Sequence, residues 1–235
     1  METQLLSVES PIECSIVQRI NRFVVEVQVR GRSHLAWINN TGRLHQFLVP
    51  GRAGFCVERQ GRGKTAYRLF AIREGSLGAV IDTHLQMGAF ERCVERELFP
   101  WLKGCRQLRR NVRLNNSVID YLLECDAGEA YLEVKSAVLR QGLYAMYPDC
   151  PSARGRKHVQ ELTKYAAHAG RAYIVFIAAL PGVEAFQPNR FGDAALPGLL
   201  VAAHKAGVEI RSVGMFYCPE SHSIDLFDPD LRIDL

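Results

Sequence analysis

Hydrophobic and polar positions alternate with a period of two in the first third of the chain. Val25, Val27 and Val29 are separated by Glu26 and Gln28, the signature of a half-buried strand. Gly31 predicts a hairpin turn into a second strand at 33–38. Further short strands are expected at 55–58, 65–73 and 77–81, with turns at 61–64 and 74–76. About five strands with tight connections and no good helix predict a small closed antiparallel barrel, because closure removes exposed edges.

The period changes near residue 87. Phe90, Val94, Leu98 and Leu102 recur at helical spacing and predict an amphipathic helix over 88–102. Strands are expected at 108–114 and 118–124, then, after a turn at Asp126-Ala127-Gly128-Glu129, at 130–139. Two prolines, Pro148 and Pro151, break the chain, and Ser152 can cap a helix that runs to His168 and ends at Gly170. Residues 172–180 form an apolar strand expected to be covered on both faces. A helix over 193–206, interrupted near Pro197, and a last strand over 208–218 complete the pattern. The change of period places a domain boundary near 82–88, giving domains 1–83 and 84–235.

With 235 residues, 48% hydrophobic and 23% charged, the composition is that of an ordinary globular protein and excludes a disordered or fibrous one. The net charge of +4 conceals an uneven distribution. Residues 1–82 hold 11 basic and 7 acidic residues, and the remainder holds 18 of each. Arginine outnumbers lysine 23 to 6, which matches either codon bias or a phosphate partner suited to its planar fork. Seven cysteines, an odd number with no CxxC spacing, argue against a disulfide framework or a zinc ribbon and fit a reducing cytoplasm. The opening METQLLSVES lacks the apolar stretch of a secretory signal, and the apolar run at 173–180 is too short to span a membrane, so no membrane partner is expected.

The chemistry concentrates in Asp120 and in Glu133-Val134-Lys135. Strand alternation puts Glu133 and Lys135 on one face. A turn at Ala127-Gly128 would set Asp120 opposite Lys135, with Glu133 as its diagonal neighbour. Two carboxylates with a backbone carbonyl such as that of Val134 are hard oxygen ligands for Mg²⁺ (or Mn²⁺). A metal there would polarise a phosphate and lower the pKa of a bound water, and Lys135 would orient that water or stabilise the transition state by its charge. Glu91, Glu95 or Glu97 on the preceding helix would complete the shell or hold a water just outside it. So short a pattern also fits a plain ion pair on a solvated strand face.

The grouping resembles the PD-(D/E)XK motif of restriction-endonuclease-like nucleases. More widely, the chain resembles the sugar fermentation stimulation protein A family. The matching stretches are Asn21 to Val27, Asn40-Thr41-Gly42-Arg43-Leu44, Val49-Pro50-Gly51, Lys64-Thr65-Ala66-Tyr67, Tyr131 to Ser136, Tyr147-Pro148-Asp149 and Arg154 to His158. The resemblance implies an N-terminal OB-like barrel, a C-terminal restriction-endonuclease-like α/β domain with a mixed central sheet, DNA binding and a link to sugar metabolism. It is compatible with a homodimer. Two positions depart from the family pattern: Val118 stands where an arginine is usual, and Gln86 where asparagine is common.

Other features fit a nucleic-acid partner, single- or double-stranded DNA. Arg154 and His158 share a helix face, where with Lys157 they would clamp a phosphate beside the helix N-terminus. Arg106, Arg109, Arg110 and Arg113, with Arg22, Arg43, Arg62 and Lys64 of the barrel, would form a phosphate-tracking groove. Trp37, Tyr67 and Phe70 can stack on bases or serve as core. Gly61-Arg62-Gly63-Lys64 is not a Walker loop, because Glu58 stands where the first glycine is needed. Two functional expectations follow: a Mg²⁺-dependent nuclease, or a non-enzymatic DNA-binding regulator on an inherited nuclease scaffold.

Overall fold

The computed structural model describes residues 2–60 and 63–235. The turn expected at 61–64 and the contribution of Arg62 therefore fall largely outside the described residues. The N-terminal strands are β1 (Thr3–Ser7), β2 (Ile12–Arg19), β3 (Val24–Val29), β4 (Arg32–Trp37), β5 (Ala53–Glu58), β6 (Tyr67–Glu74) and β7 (Leu77–Val80). The alternating valines of β3 are buried as expected. Arg30 and Gly31, both at positive φ, make the two-residue turn into β4, the backbone sign that matches strand twist.

Strands β2, β3, β4, β6 and β5 close on one another, and a parallel β4–β6 contact completes the barrel. The count of five holds but the membership differs. β2 belongs and β7 does not. The register of β2 slips between Ile16 and Gln18, a bulge that interrupts its alternation and hides it from a period-2 reading. β7 leaves the barrel and carries the sheet on to the strand that holds Tyr217. Phe70 is fully buried and serves as core.

The remaining elements are α1 (Thr83–Glu95), β8 (Cys105–Leu114), β9 (Ser117–Cys125), β10 (Gly128–Ser136), β11 (Leu139–Gln141), β12 (Tyr144–Tyr147), α2 (Ala153–Ala167), β13 (Arg171–Ala178), β14 (Ala185–Pro188), α3 (Leu196–Lys205), β15 (Glu209–Cys218), β16 (Ser223–Asp228) and β17 (Arg232–Ile233). The central sheet runs β7-β15-β13-β10-β9-β8. β10, β13 and β15 are parallel, whereas β8, β9 and β10 form an antiparallel meander. This is the mixed sheet expected, and β13 is buried at every residue from Ala172 to Ala178. β1 crosses back to pair with β16, so the first strand of the chain belongs to the far sheet.

Several expectations need correction. The helix predicted at 88–102 starts at Thr83, because Asp82 caps it by accepting from the Leu85 amide at 3.0 Å. It ends at Glu95, since Glu97 turns to positive φ and Pro100 opens a separate 3₁₀ turn. Pro197 lies in the first turn of α3, where its missing N–H costs nothing, so it does not interrupt that helix. The strand at 209–218 is not the last, because β16 and β17 follow. Cys105 and Cys125 form a disulfide, against the expectation of free thiols. The two face each other across the β8–β9 ladder, a pairing that sequence spacing alone does not reveal. No helix among the described residues is long and apolar enough to cross a membrane.

Candidate functional site

The β9–β10 hairpin turns at Asp126-Ala127, with Cys125 opposite Gly128. This register sets Asp120 level with Glu133 rather than with Lys135, which corrects the expected pairing. The ladder stops at Tyr121–Leu132, and side chains take over its polar groups. Asp120 Oδ2 accepts from the Val134 amide at 2.9 Å, and Glu133 Oε2 accepts from the Asp120 amide at 3.2 Å. Both carboxylates are thereby locked in place by backbone donors. Asp120 Oδ1 has no hydrogen bond among the described residues.

Glu133 is 2% exposed, and its Oε1 receives both Lys135 Nζ and His158 Nδ1, the latter at 2.5 Å. Arg154 Nε donates to His158 Nε2 at 3.4 Å, so the network assigns the ring proton to Nδ1. Burial pushes the Asp120 carboxyl above the ordinary aspartate range, and the neighbouring Glu133 charge pushes it further. Burial acts the same way on Glu133, but Lys135 and the His158 hydrogen bond outweigh it and hold that carboxyl low. Burial opposes the charge on Lys135, yet Glu133, Tyr147 and Asp120 together raise its pKa. Without metal, the neighbouring carboxylates thus favour the charged form of Lys135.

These groups lie in a cavity of about 490 Å³ between the two halves of the molecule. The barrel contributes Arg22 and the loop from Asn39 to Gly42, and the second half contributes β10, the segment from Tyr147 to Ser152, and Arg154 and His158. Asp149 fixes the barrel loop over the site. Its Oδ2 accepts from the Leu44 amide at 2.9 Å and leaves no room for a Cβ on Gly42. Asn39 is tied to Asp82, the α1 cap, at 2.9 Å, and Asp82 also pairs with Arg68. Asn39 drew no attention in the sequence, and Asp149 only as part of a matching stretch. The polar run that follows Ile38 was the one local sign of a loop with work to do.

α2 brings His158 and Arg154 to the site because Ser152 caps its start, accepting from Gly155 at 2.9 Å. Ser152→Ala is expected to lower stability by about 1 kcal/mol, read by urea unfolding.

Of the residues expected to contact nucleic acid, Arg22, Arg154 and His158 line the cavity. Arg43, Lys64, Arg110, Arg113 and Lys157 do not. Arg110 is paired with Glu91 on the edge strand β8, Arg109 is paired with Glu129, and Lys157 donates to the Asn116 carbonyl at 2.7 Å. His158 is 4% exposed, and both of its ring nitrogens are engaged, so it positions Glu133 rather than meeting a phosphate. None of Glu91, Glu95 and Glu97 lines the cavity. Glu91 accepts from Tyr121 Oη at 2.7 Å, and strand alternation points Tyr121 away from Asp120. Glu95 pairs with Arg92. Trp37 carries Arg59 and Arg68 over its ring, Tyr67 meets His34 edge-on, and neither lines the cavity.

No cluster of three or more Cys, His, Asp or Glu ligands occurs among the described residues. The donor set nevertheless fits Mg²⁺, which keeps several waters and needs only one or two carboxylates. Asp120 Oδ1 has no partner among the described residues, Glu133 is adjacent, and the charge disfavoured at Asp120 by burial and by Glu133 is what a cation would offset.

Comparison with known proteins gives a consistent picture. Residues 84–221 match the family model "Sugar fermentation stimulation protein RE domain", and residues 17–81 match "SfsA N-terminal OB domain". A sugar fermentation stimulation protein homolog of Pyrococcus furiosus is 50% identical over 212 residues, 90% of this chain and 92% of that one. One from Archaeoglobus fulgidus is 46% identical over 230 residues, 98% and 99% of the two chains. The solved structure of Pyrococcus furiosus SfsA in complex with Ca²⁺ superposes with a TM-score of 0.94 at 46% identity, covering 99% of this chain and 100% of that one.

Proposed function

As the chain belongs to the sugar fermentation stimulation protein family, we propose that it binds DNA and hydrolyses phosphodiester bonds with Mg²⁺ or Mn²⁺ held at Asp120 and Glu133. The observation that carries the reading is the cavity in which two locked carboxylates and a buried cationic lysine meet, with Arg22 and Arg154 on its walls. The related Pyrococcus furiosus protein was solved with Ca²⁺, another hard cation, which supports a divalent site here.

Asp120 Oδ1, Glu133 and the Val134 carbonyl would hold the ion. When bound, the ion polarises a phosphate oxygen and lowers the pKa of its water. Lys135, held cationic, stabilises the charge that develops on the phosphate. Arg22 and Arg154 bind the phosphate, and the barrel loop clamped by Asp149 forms one wall of the site.

A second reading, a DNA-binding regulator without catalysis, is favoured by one observation: Glu133 Oε1 already carries Lys135 and His158. Incubating labelled single- and double-stranded DNA with Mg²⁺, Mn²⁺ or EDTA separates the two. Cleavage is expected only with metal, and binding is expected to weaken as salt rises. Metal-independent binding without cleavage would leave the regulator. Binding insensitive to salt would remove both readings.

A further inference from the structure

We propose that Phe191 is a stacking platform for an unpaired base, and that the cavity beside it admits a single strand of nucleic acid rather than a duplex. The inference rests on the reading of the site as a phosphodiester-binding one and specifies its substrate.

Phe191 is 88% exposed, the most exposed large hydrophobic side chain among the described residues. A solitary exposed apolar residue is ordinary on a protein surface. This one differs because its loop is held rigidly against the rim of the site. Asn189 Nδ2 donates to the Pro148 carbonyl at 2.7 Å, and Asn189 Oδ1 accepts from the Phe191 amide at 3.2 Å. At Gly192 a Cβ would stand 2.0 Å from the same Pro148 oxygen, so only glycine permits this approach. Asp193 closes the loop from the other side, accepting from the Ser152 amide and from Arg156. Pro148 and Ser152 both line the cavity. The backbone is thus clamped at both ends while the ring between them meets solvent.

The cavity supplies the second observation. Glu133 is 2% exposed and Asp120 partly buried, beside a barrel loop bonded to Asp149. A phosphodiester reaches such recessed groups more readily from a flexible single strand than from a stacked duplex, the constraint that makes other enzymes extrude a nucleotide into a pocket. At about 490 Å³ the space suits a small ligand or one nucleotide. Its walls have two characters. Lys135, Arg22 and Arg154 suit a phosphate, while Val138, Met146 and Pro151 suit the face of a sugar or base. The next base along a single strand would leave the cavity over the Pro148 rim, where the clamped loop presents an aromatic ring to water. Stacking of this kind tolerates any base.

The test measures binding of the full chain in EDTA, so that cleavage plays no part. The probes are a labelled oligodeoxythymidine and a blunt DNA duplex, with wild type, Phe191→Ala and Phe191→Trp. Phe191→Ala is expected to weaken single-strand binding by about 5- to 150-fold and to leave duplex binding unchanged. Phe191→Trp is expected to retain affinity, with its added fluorescence quenched by the bound strand. Equal binding by wild type and Phe191→Ala, or an equal loss for both probes, would overturn the inference and leave the DNA-binding reading intact. So would a wild type that prefers the duplex. If neither probe binds wild type, the inference and the reading fall together. If Phe191→Ala alters self-association in sedimentation but not DNA binding, the ring is a protein contact and the inference fails.

Discussion

Replacing Asp120 with asparagine is expected to yield a protein at least as stable as wild type that has lost metal-dependent cleavage by about 10³-fold. The two effects have one source. The carboxylate is disfavoured in the fold by burial and by Glu133, so its pKa is raised. Asparagine keeps an oxygen for the Val134 amide, now at 2.9 Å from Asp120 Oδ2, and removes the charge. Without metal, the variant should therefore unfold at the same or a higher temperature. The sign of the pH dependence follows. A raised carboxyl pKa penalises the folded state above that pKa, and the penalty fades as pH falls toward the ordinary aspartate value of about 3.9. The advantage of the variant should be greatest at neutral pH and vanish in acid. Adding Mg²⁺ should reverse the order, because the ion stabilises only the protein that binds it. Melting curves from pH 7 to pH 4, with EDTA and with Mg²⁺, check all of this. A variant that melts well below wild type in EDTA would refute the account of Asp120.

Glu133 should behave in the opposite way. Its carboxylate is the common acceptor for Lys135 and His158, and all three are buried or nearly so. Glu133→Ala strands a buried ammonium and is expected to cost about 3–5 kcal/mol, seen as a fall in Tm of roughly 6–20 °C. Removing the ammonium as well should recover part of the loss. Glu133→Ala combined with Lys135→Met is expected to be less destabilised than the sum of the two single changes, because the pair is coupled. Strict additivity would show that the contact contributes little. The two carboxylates, level with each other on adjacent strands, thus differ in support. Asp120 is a strained group that a cation would relieve, and Glu133 is already anchored by Lys135 and His158.

Much of this arrangement was legible in the amino-acid order, and the limits have physical causes. Alternation at Val25, Val27 and Val29 and the apolar run of β13 report burial directly, so the barrel and the central strand were readable. The grouping of Asp120, Glu133 and Lys135 survived an error in register. Moving the turn from Ala127-Gly128 to Asp126-Ala127 shifts each partner by two residues, which preserves the face of the sheet. What was lost depends on distant partners. Arg110 reads as a free base until Glu91 is seen beside it, and Glu91 reads as a ligand until Tyr121 and Arg110 claim it. The disulfide between Cys105 and Cys125 depends on the β8–β9 register, which neither segment encodes alone. Asp149 bonds across the junction of the two halves and Asn39 bonds the distant cap of α1, both beyond the reach of any local pattern. Phe191 was missed because an isolated aromatic in a loop has no periodic signature.

The claim on which the rest depends is that Asp120 and Glu133 together bind a divalent ion. Calorimetric titration of Mn²⁺ into wild type and into Asp120→Asn tests it without reliance on any substrate. One site per chain in wild type, absent from the variant, is the result predicted. Equal Mn²⁺ binding by the two proteins, or none by wild type, would contradict it.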